Sequence, residues 1–217
     1  MLEKITYFSG PSGCGKTTLI SSLLENNDYI EGNPKKLKQV GSKRKKERIK
    51  ELYSETSKYA LNNMYKRLNK AKYHKKLQNK SNKIILEDRC MHDTLSYLKA
   101  AFKYGDISNK EYNYLVKKQE EIHPDKLKPK NIVFIDLPLE DILTNLEKRW
   151  KTEGKGFRED DKNYLKTVSE SFREYYDTLN AENILKIRNR DELDSKYIND
   201  WIKNSMKKPL KYYIFIL

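Results

Sequence analysis

The chain has 217 residues, enough for one α/β domain with a sizeable core and short for two. Hydrophobic residues make up 37% and charged residues 35%, and no apolar run approaches the roughly 20 residues that would cross a bilayer, which excludes a helical membrane protein. The formal charge of +14 suits a polyanionic ligand such as a nucleotide, a nucleic acid or an acidic surface, or else solvated lysine-rich helix faces.

The chain enters an apolar segment at once, without a charged-then-apolar leader, and the two cysteines, Cys14 and Cys90, suit a reduced compartment. The expectation is a cytoplasmic protein. The three histidines, His74, His92 and His123, lack metal-ligand spacing near a cysteine pair.

In chain order, residues 5–8 (Ile-Thr-Tyr-Phe) read as the first strand. They lead into Gly10-Pro11-Ser12-Gly13-Cys14-Gly15-Lys16-Thr17, a full match to G-x-x-x-x-G-K-[ST], and Thr18-Leu19-Ile20 continues as a helix. The residue types explain the chemistry. Glycines let successive N–H groups face one anion, and the helix N-terminus adds its positive end. Lys16 would span the β- and γ-phosphates of ATP, and the Thr17 hydroxyl would ligate Mg²⁺. The nucleotide-binding set is therefore Gly10, Ser12, Gly13, Cys14, Gly15, Lys16, Thr17 and Thr18. The guanine-reading Asn-Lys-x-Asp of GTPases is missing after a later strand, where Leu137-Pro138-Leu139-Glu140 stands.

A short strand follows at 29–31 or 37–40. Residues 35–50 hold nine Lys or Arg and one acid, Glu47. This basic segment could attract an acceptor phosphate, bind a nucleic-acid backbone or simply be solvated; it lacks aromatic residues for base stacking. Between Gly41 and Gly105 there is no glycine, and Ile49, Leu52, Thr56, Ala60, Met64, Leu68 and Ala71 keep three-to-four spacing, which predicts a long amphipathic helix.

Residues 83–87 (Lys-Ile-Ile-Leu-Glu) predict the next strand, 131–136 (Asn-Ile-Val-Phe-Ile-Asp) another and 183–187 (Asn-Ile-Leu-Lys-Ile) a last one. An acid at the C-terminal end of a parallel strand sits where ligands bind. Asp88 would thus hold Mg²⁺ or its waters, and Arg89 would pair with phosphate oxygens. Leu165, Val168, Phe172, Tyr176 and Leu179 predict a C-terminal helix. Strands alternating with helices make a doubly wound α/β domain with a mostly parallel sheet.

Glu87-Asp88-Arg89, with Leu95 and Tyr97 beyond it, resembles the Asp-Arg or Glu-Arg motif of the thymidylate kinase and deoxynucleoside kinase superfamily. Tyr104-Gly105-Asp106-Ile107-Ser108 is similar to the glycine–serine–aromatic segment of deoxynucleoside kinases. Ile135-Asp136-Leu137-Pro138 resembles the family's strand-to-helix turn. Arg149 and Arg158 flank Gly154 and Gly156, as in the family's arginine-bearing lid, here about 149–161. The resemblance implies catalytic roles for Lys16, Asp88, Arg89, Arg149 and Arg158, metal ligation by Thr17 and Asp88, and a kinase domain over 1–203.

The resemblance leaves the acceptor open. Leu98 stands where thymidylate kinases carry a base-reading Gln, and Ser12 replaces their loop Asp. Deoxynucleoside kinases place a catalytic Glu in a Glu-Pro segment after the second strand; the nearest match is Glu31-Gly32-Asn33-Pro34. The abundance of Lys and Arg over 35–50 favours a nucleoside monophosphate acceptor, with a nucleoside hydroxyl as the alternative. A nucleic-acid-binding protein or polynucleotide 5′-kinase using the basic segment is the second alternative. The tail, 204–217, ends Tyr-Tyr-Ile-Phe-Ile-Leu and reads as an added edge strand or a homodimer contact.

Overall fold

The computed structural model describes residues 4–25, 28–32, 55–123 and 128–206. Five strands form one parallel sheet in the order β2-β3-β1-β4-β5, with β1 (Ile5–Ser9), β2 (Tyr29–Glu31), β3 (Ile84–Asp88), β4 (Asn131–Ile135) and β5 (Asn183–Ile187). The continuous apolar runs of β1 and β4 are explained by their place: both strands are buried throughout, as a sheet covered on two faces demands.

The period-two alternation of the strands sorts their side chains between those faces. Phe8, Leu86, Val133 and Ile135 pack with Leu19 and Leu23 of α1 (Lys16–Leu24), Ile142 and Leu146 of α5 (Leu139–Glu153), and Ile198 and Ile202 of α7 (Ser195–Ser205). On the other face Ile132 and Phe134 meet Val168, Phe172 and Tyr176 of α6 (Lys162–Thr178) and Ala100 of α3 (Met91–Lys103). Beyond them α2 (Thr56–Lys80) and α4 (Asn109–Ile122) enclose Ala60, Met64, Leu98 and Leu115. Ser108 opens α4 with a reciprocal capping box to Glu111. No helix of the described residues is long and apolar enough to cross a membrane.

The second strand forms at 29–31, pairing Tyr29 with Ile84 and Glu31 with Leu86; the alternative at 37–40 lies outside the described residues. Ile49 and Leu52 also lie outside them, and α2 runs further than the apolar stripe, to Lys80. The extension carries His74, buried although the stripe stops at Ala71. The basic segment 35–50 and the tail from 207 onwards lie outside the described residues. Asn204 and Ser205 belong to α7.

Strand register levels the C-terminal ends: Phe8 faces Asp88, and Ser9 faces Phe134. The loop after β1 thus opens between the ends of β3 and β4. Ligands of open α/β sheets bind at that kind of edge.

Candidate active site

The loop after β1 turns on three glycines with positive φ, Gly10, Gly13 and Gly15. Gly10 has φ +140° and a side chain there would run into the Ile135 carbonyl. Gly15 has φ +95° and turns the chain into α1 as its N-cap. Asn145 of α5 donates to Gly13 O at 2.8 Å and supports the loop from outside. Lys16 lies folded into it: Nζ donates to Gly10 O at 2.9 Å and to Pro11 O at 2.7 Å, with Cys14 Sγ at 3.2 Å. The ammonium stands where the loop's curl converges, while Thr17 and Thr18 are exposed.

A groove of about 1330 Å³ runs along this edge, and Ser12, Lys16, Thr17, Glu31, Asp88, Arg89 and Arg149 all line it. Asp88 ends β3, and its Oδ1 is buried with no hydrogen-bond partner among the described residues. Arg89 has φ +71°, its N–H donates to Phe8 O at 2.9 Å, and its guanidinium sits 5.2 Å over the Tyr97 ring. Nη1 lies 3.4 Å from Gly10 O and 3.7 Å from Asp93 Oδ2. Burial opposes the charge, but Tyr97, Asp93 and Asp88 outweigh it and hold the Arg89 pKa above its ordinary value.

Beneath the loop Tyr176 Oη lies 2.8 Å from Asp93 Oδ1 and 2.7 Å from Ser9 Oγ. Burial raises the Tyr176 pKa well above the ordinary range, with Asp93 and Cys90 adding to it, so the phenol keeps its proton. Ser9 is thus tied to α3 and α6, which braces the strand end that carries the loop.

The two lid arginines part company. Arg149 of α5 donates to Ser12 Oγ at 3.3 Å and pairs with Glu159, beside the phosphate loop. Arg158 does not line the groove. Its Nη1 donates to Asp106 Oδ2 at 2.9 Å. The rings of Tyr104, Phe157 and Tyr164 surround its guanidinium at 4.8, 5.1 and 5.2 Å. Arg158 is held by an ion pair and three aromatic faces, away from the groove that Arg149 lines.

Cys14 and Cys90 are buried, and burial, with Asp93 adding to it, pushes the Cys90 thiol up to about 11. Asn145, Glu159, Lys70 and His74 carry no role in the sequence reading, and Glu87 entered it only within the Glu87-Asp88-Arg89 motif, since their partners are apart in the chain.

Three comparisons place this geometry among known proteins. Residues 8–210 match the family model described as deoxynucleoside kinase. Among solved structures, a deoxyadenosine kinase from M. mycoides with the products dCMP and a flexible dCDP bound superposes with a TM-score of 0.66 at 14% identity, covering 93% of this chain and 98% of that one. The structure of the same kinase with bound dATP gives 0.65 at 17% identity, covering 94% and 100%; both likenesses are of fold. The phosphate import ATP-binding protein PstB of Synechococcus sp. is 62% identical over 29 residues, 13% of this chain and 11% of that protein. The corresponding protein of Mycoplasma mycoides subsp. mycoides is 60% identical over 30 residues, 14% and 13%. The chain thus spans about an eighth or less of the length of these curated relatives.

Proposed function

The chain belongs to the deoxynucleoside kinase family, and we propose that it transfers the γ-phosphoryl group of ATP to the 5′-hydroxyl of a deoxynucleoside. The observation that carries this reading is the placement of Glu31, which closes β2 and lines the same groove as Lys16, Asp88 and Arg89. A hydroxyl acceptor must give up a proton, whereas a phosphate acceptor is already ionised. A carboxylate at the strand end beside the phosphate loop suits that task.

The remaining groups divide the work of phosphoryl transfer, which is positioning and charge neutralisation. The loop N–H groups and Lys16 hold the donor phosphates, with Lys16 exchanging the Gly10 and Pro11 carbonyls for phosphate oxygens. Arg89 faces the acceptor side, and Arg149 brings its guanidinium from the lid. The donor set suits Mg²⁺, a hard cation that takes few protein ligands: the Thr17 hydroxyl and the buried, unpartnered Asp88 Oδ1 would hold it. When bound, Mg²⁺ neutralises charge on the donor phosphates.

The monophosphate reading favoured by the basic segment is the weaker one. Its support falls on residues outside those described, and the family match backs a nucleoside acceptor. An ADP-coupled assay over the four deoxynucleosides, their monophosphates and a 5′-hydroxyl oligonucleotide tests the choice. Turnover with at least one deoxynucleoside, falling about 100-fold or more in Glu31→Gln, is expected. Turnover confined to monophosphates or to the oligonucleotide overturns the proposal.

A further inference from the structure

The residue after Glu31 is held from two sides. Gly32 N–H donates to Leu86 O at 2.8 Å, and Gly32 O lies 3.0 Å from His74 Nε2. His74 reaches it from α2 and is wholly buried. The same Nε2 lies 2.8 Å from Glu87 Oε2, while Glu87 Oε1 pairs with Lys70. Both neighbours of Nε2 are acceptors, a carbonyl and a carboxylate, so Nε2 carries the ring proton. The fit is close: a Cβ on Gly32 would come within 2.5 Å of Glu87 Oε2 and 2.9 Å of His74 Nε2.

Burying a carboxylate costs desolvation that an ion pair does not fully return. Lys70 alone would neutralise Glu87, yet Glu87 also faces an imidazole, and that imidazole aims one directed bond at one peptide carbonyl. The peptide in question follows the last residue of a three-residue strand at the sheet edge, paired with β3 alone. Such an end needs a second anchor to hold a side chain in one place.

We propose that His74 is a positioning residue for Glu31. It fixes the Gly32 carbonyl, and so the strand end that presents the Glu31 carboxylate to the groove. The inference rests on the reading of Glu31 as the acceptor-side base. A displacement of about 1 Å at a reacting group is enough to cost about 100-fold in rate.

The test compares His74→Phe, which keeps a ring and loses the bond, with His74→Gln, which returns an N–H donor. His74→Phe is expected to lower kcat for a deoxynucleoside about 10- to 100-fold while the KM for ATP changes less than about twofold. His74→Gln recovers most of the loss. Amide exchange at Gly32 speeds up in the Phe variant and slows again in the Gln variant. Should the Phe variant fail to fold, His74→Asn, whose amide stops short of Gly32, replaces it against Gln. Glu31→Gln runs in parallel. If Glu31→Gln turns over normally, the base reading falls and the positioning role with it. If Glu31→Gln is inactive while His74→Phe keeps its kcat despite faster exchange at Gly32, the positioning role falls alone.

Discussion

Ser12 Oγ donates to Glu159 Oε1 at 3.2 Å and accepts from Arg149, so this hydroxyl joins the loop after β1 to the segment 149–161. The same carboxylate accepts from Gly156 N at 2.7 Å and Trp150 Nε1 at 3.1 Å, and pairs with Arg149. Burial pushes the Glu159 pKa up, but the Arg149 and Gly156 donors outweigh it and hold it below the usual range. Glu159 is therefore ionised at neutral pH and holds the guanidinium beside the site.

If Arg149 takes up phosphate charge as proposed, it must exchange Glu159 for phosphate oxygens during turnover. Arg149→Ala is expected to lower kcat by about 100- to 1000-fold, the usual effect of a charge-stabilising donor, with a smaller rise in the KM for ATP. Steady-state kinetics at saturating ATP check it. A normal kcat with a raised KM would place Arg149 in ground-state binding instead.

Arg158 is predicted to behave differently, because its ion pair with Asp106 and its aromatic neighbours occupy it. Arg158→Ala should destabilise the fold by about 1–3 kcal/mol, the range for a charged hydrogen bond, and leave kcat at saturating ATP within about fivefold. Urea unfolding and kinetics on one preparation separate the two. A hundredfold loss of kcat at unchanged stability would return Arg158 to the phosphates.

Lys16→Ala should abolish nearly all transfer, leaving less than about a tenth of the wild-type rate. The loop keeps its glycine geometry and the Asn145 bond to Gly13 O. The fold should therefore lose no more than about 2 kcal/mol from the two carbonyls left unpaired. A variant retaining more than that tenth, by ADP-coupled assay, sinks the assignment.

Thiol chemistry should be slow. Cys14 and Cys90 are 0% and 3% exposed, and the Cys90 thiol, pushed up to about 11, stays protonated at neutral pH. A disulfide reagent at pH 7.5 should label neither cysteine at the rate of a free thiol, and both after denaturation. Rapid labelling of Cys90 in the native protein would contradict its burial.

The parts of the site that were legible in the sequence are those written locally. The run from Gly10 to Thr17 states its own turn, charge and helix start, and the apolar run over 83–87 marks a strand whose end falls one residue later, at Asp88. Glu31 was harder, because a three-residue edge strand carries little periodicity; its position comes from pairing with Ile84, Ile85 and Leu86. Glu159, Asn145 and His74 were illegible for one shared reason. Their partners Ser12, Gly13 and Gly32 lie far away in the chain, and only the folded structure brings them near. The Arg158–Asp106 ion pair was equally illegible, because a gap of two glycines does not say which partner each arginine takes.

The last prediction concerns acid stability. His92 is 6% exposed, with Nδ1 2.7 Å from the Tyr175 hydroxyl. Burial lowers its pKa to about 4, with Lys128 and His123 adding to the effect. In the unfolded chain its pKa is about 6.5. Between these values the unfolded state binds a proton that the native state does not, so stability rises with pH across the window and is lost as pH falls through it. The gap corresponds to on the order of 3 kcal/mol over the window. His92→Phe keeps an aromatic ring against Tyr175 and Tyr176, whose centroids lie 5.6 and 6.5 Å away, and removes the titrating group. It should be less stable than wild type at pH 7.5 by about 1 kcal/mol, for the lost hydrogen bond, and should lose less stability on going to pH 4.5. His123, whose pKa burial also lowers, titrates in both proteins, so the difference in slope reports His92 together with its coupling to His123. Urea midpoints at half-unit steps from pH 4.5 to 7.5 give the two slopes directly. Parallel slopes for the two proteins would show that His92 is protonated in the native state as readily as in the unfolded chain, and the burial argument would fail.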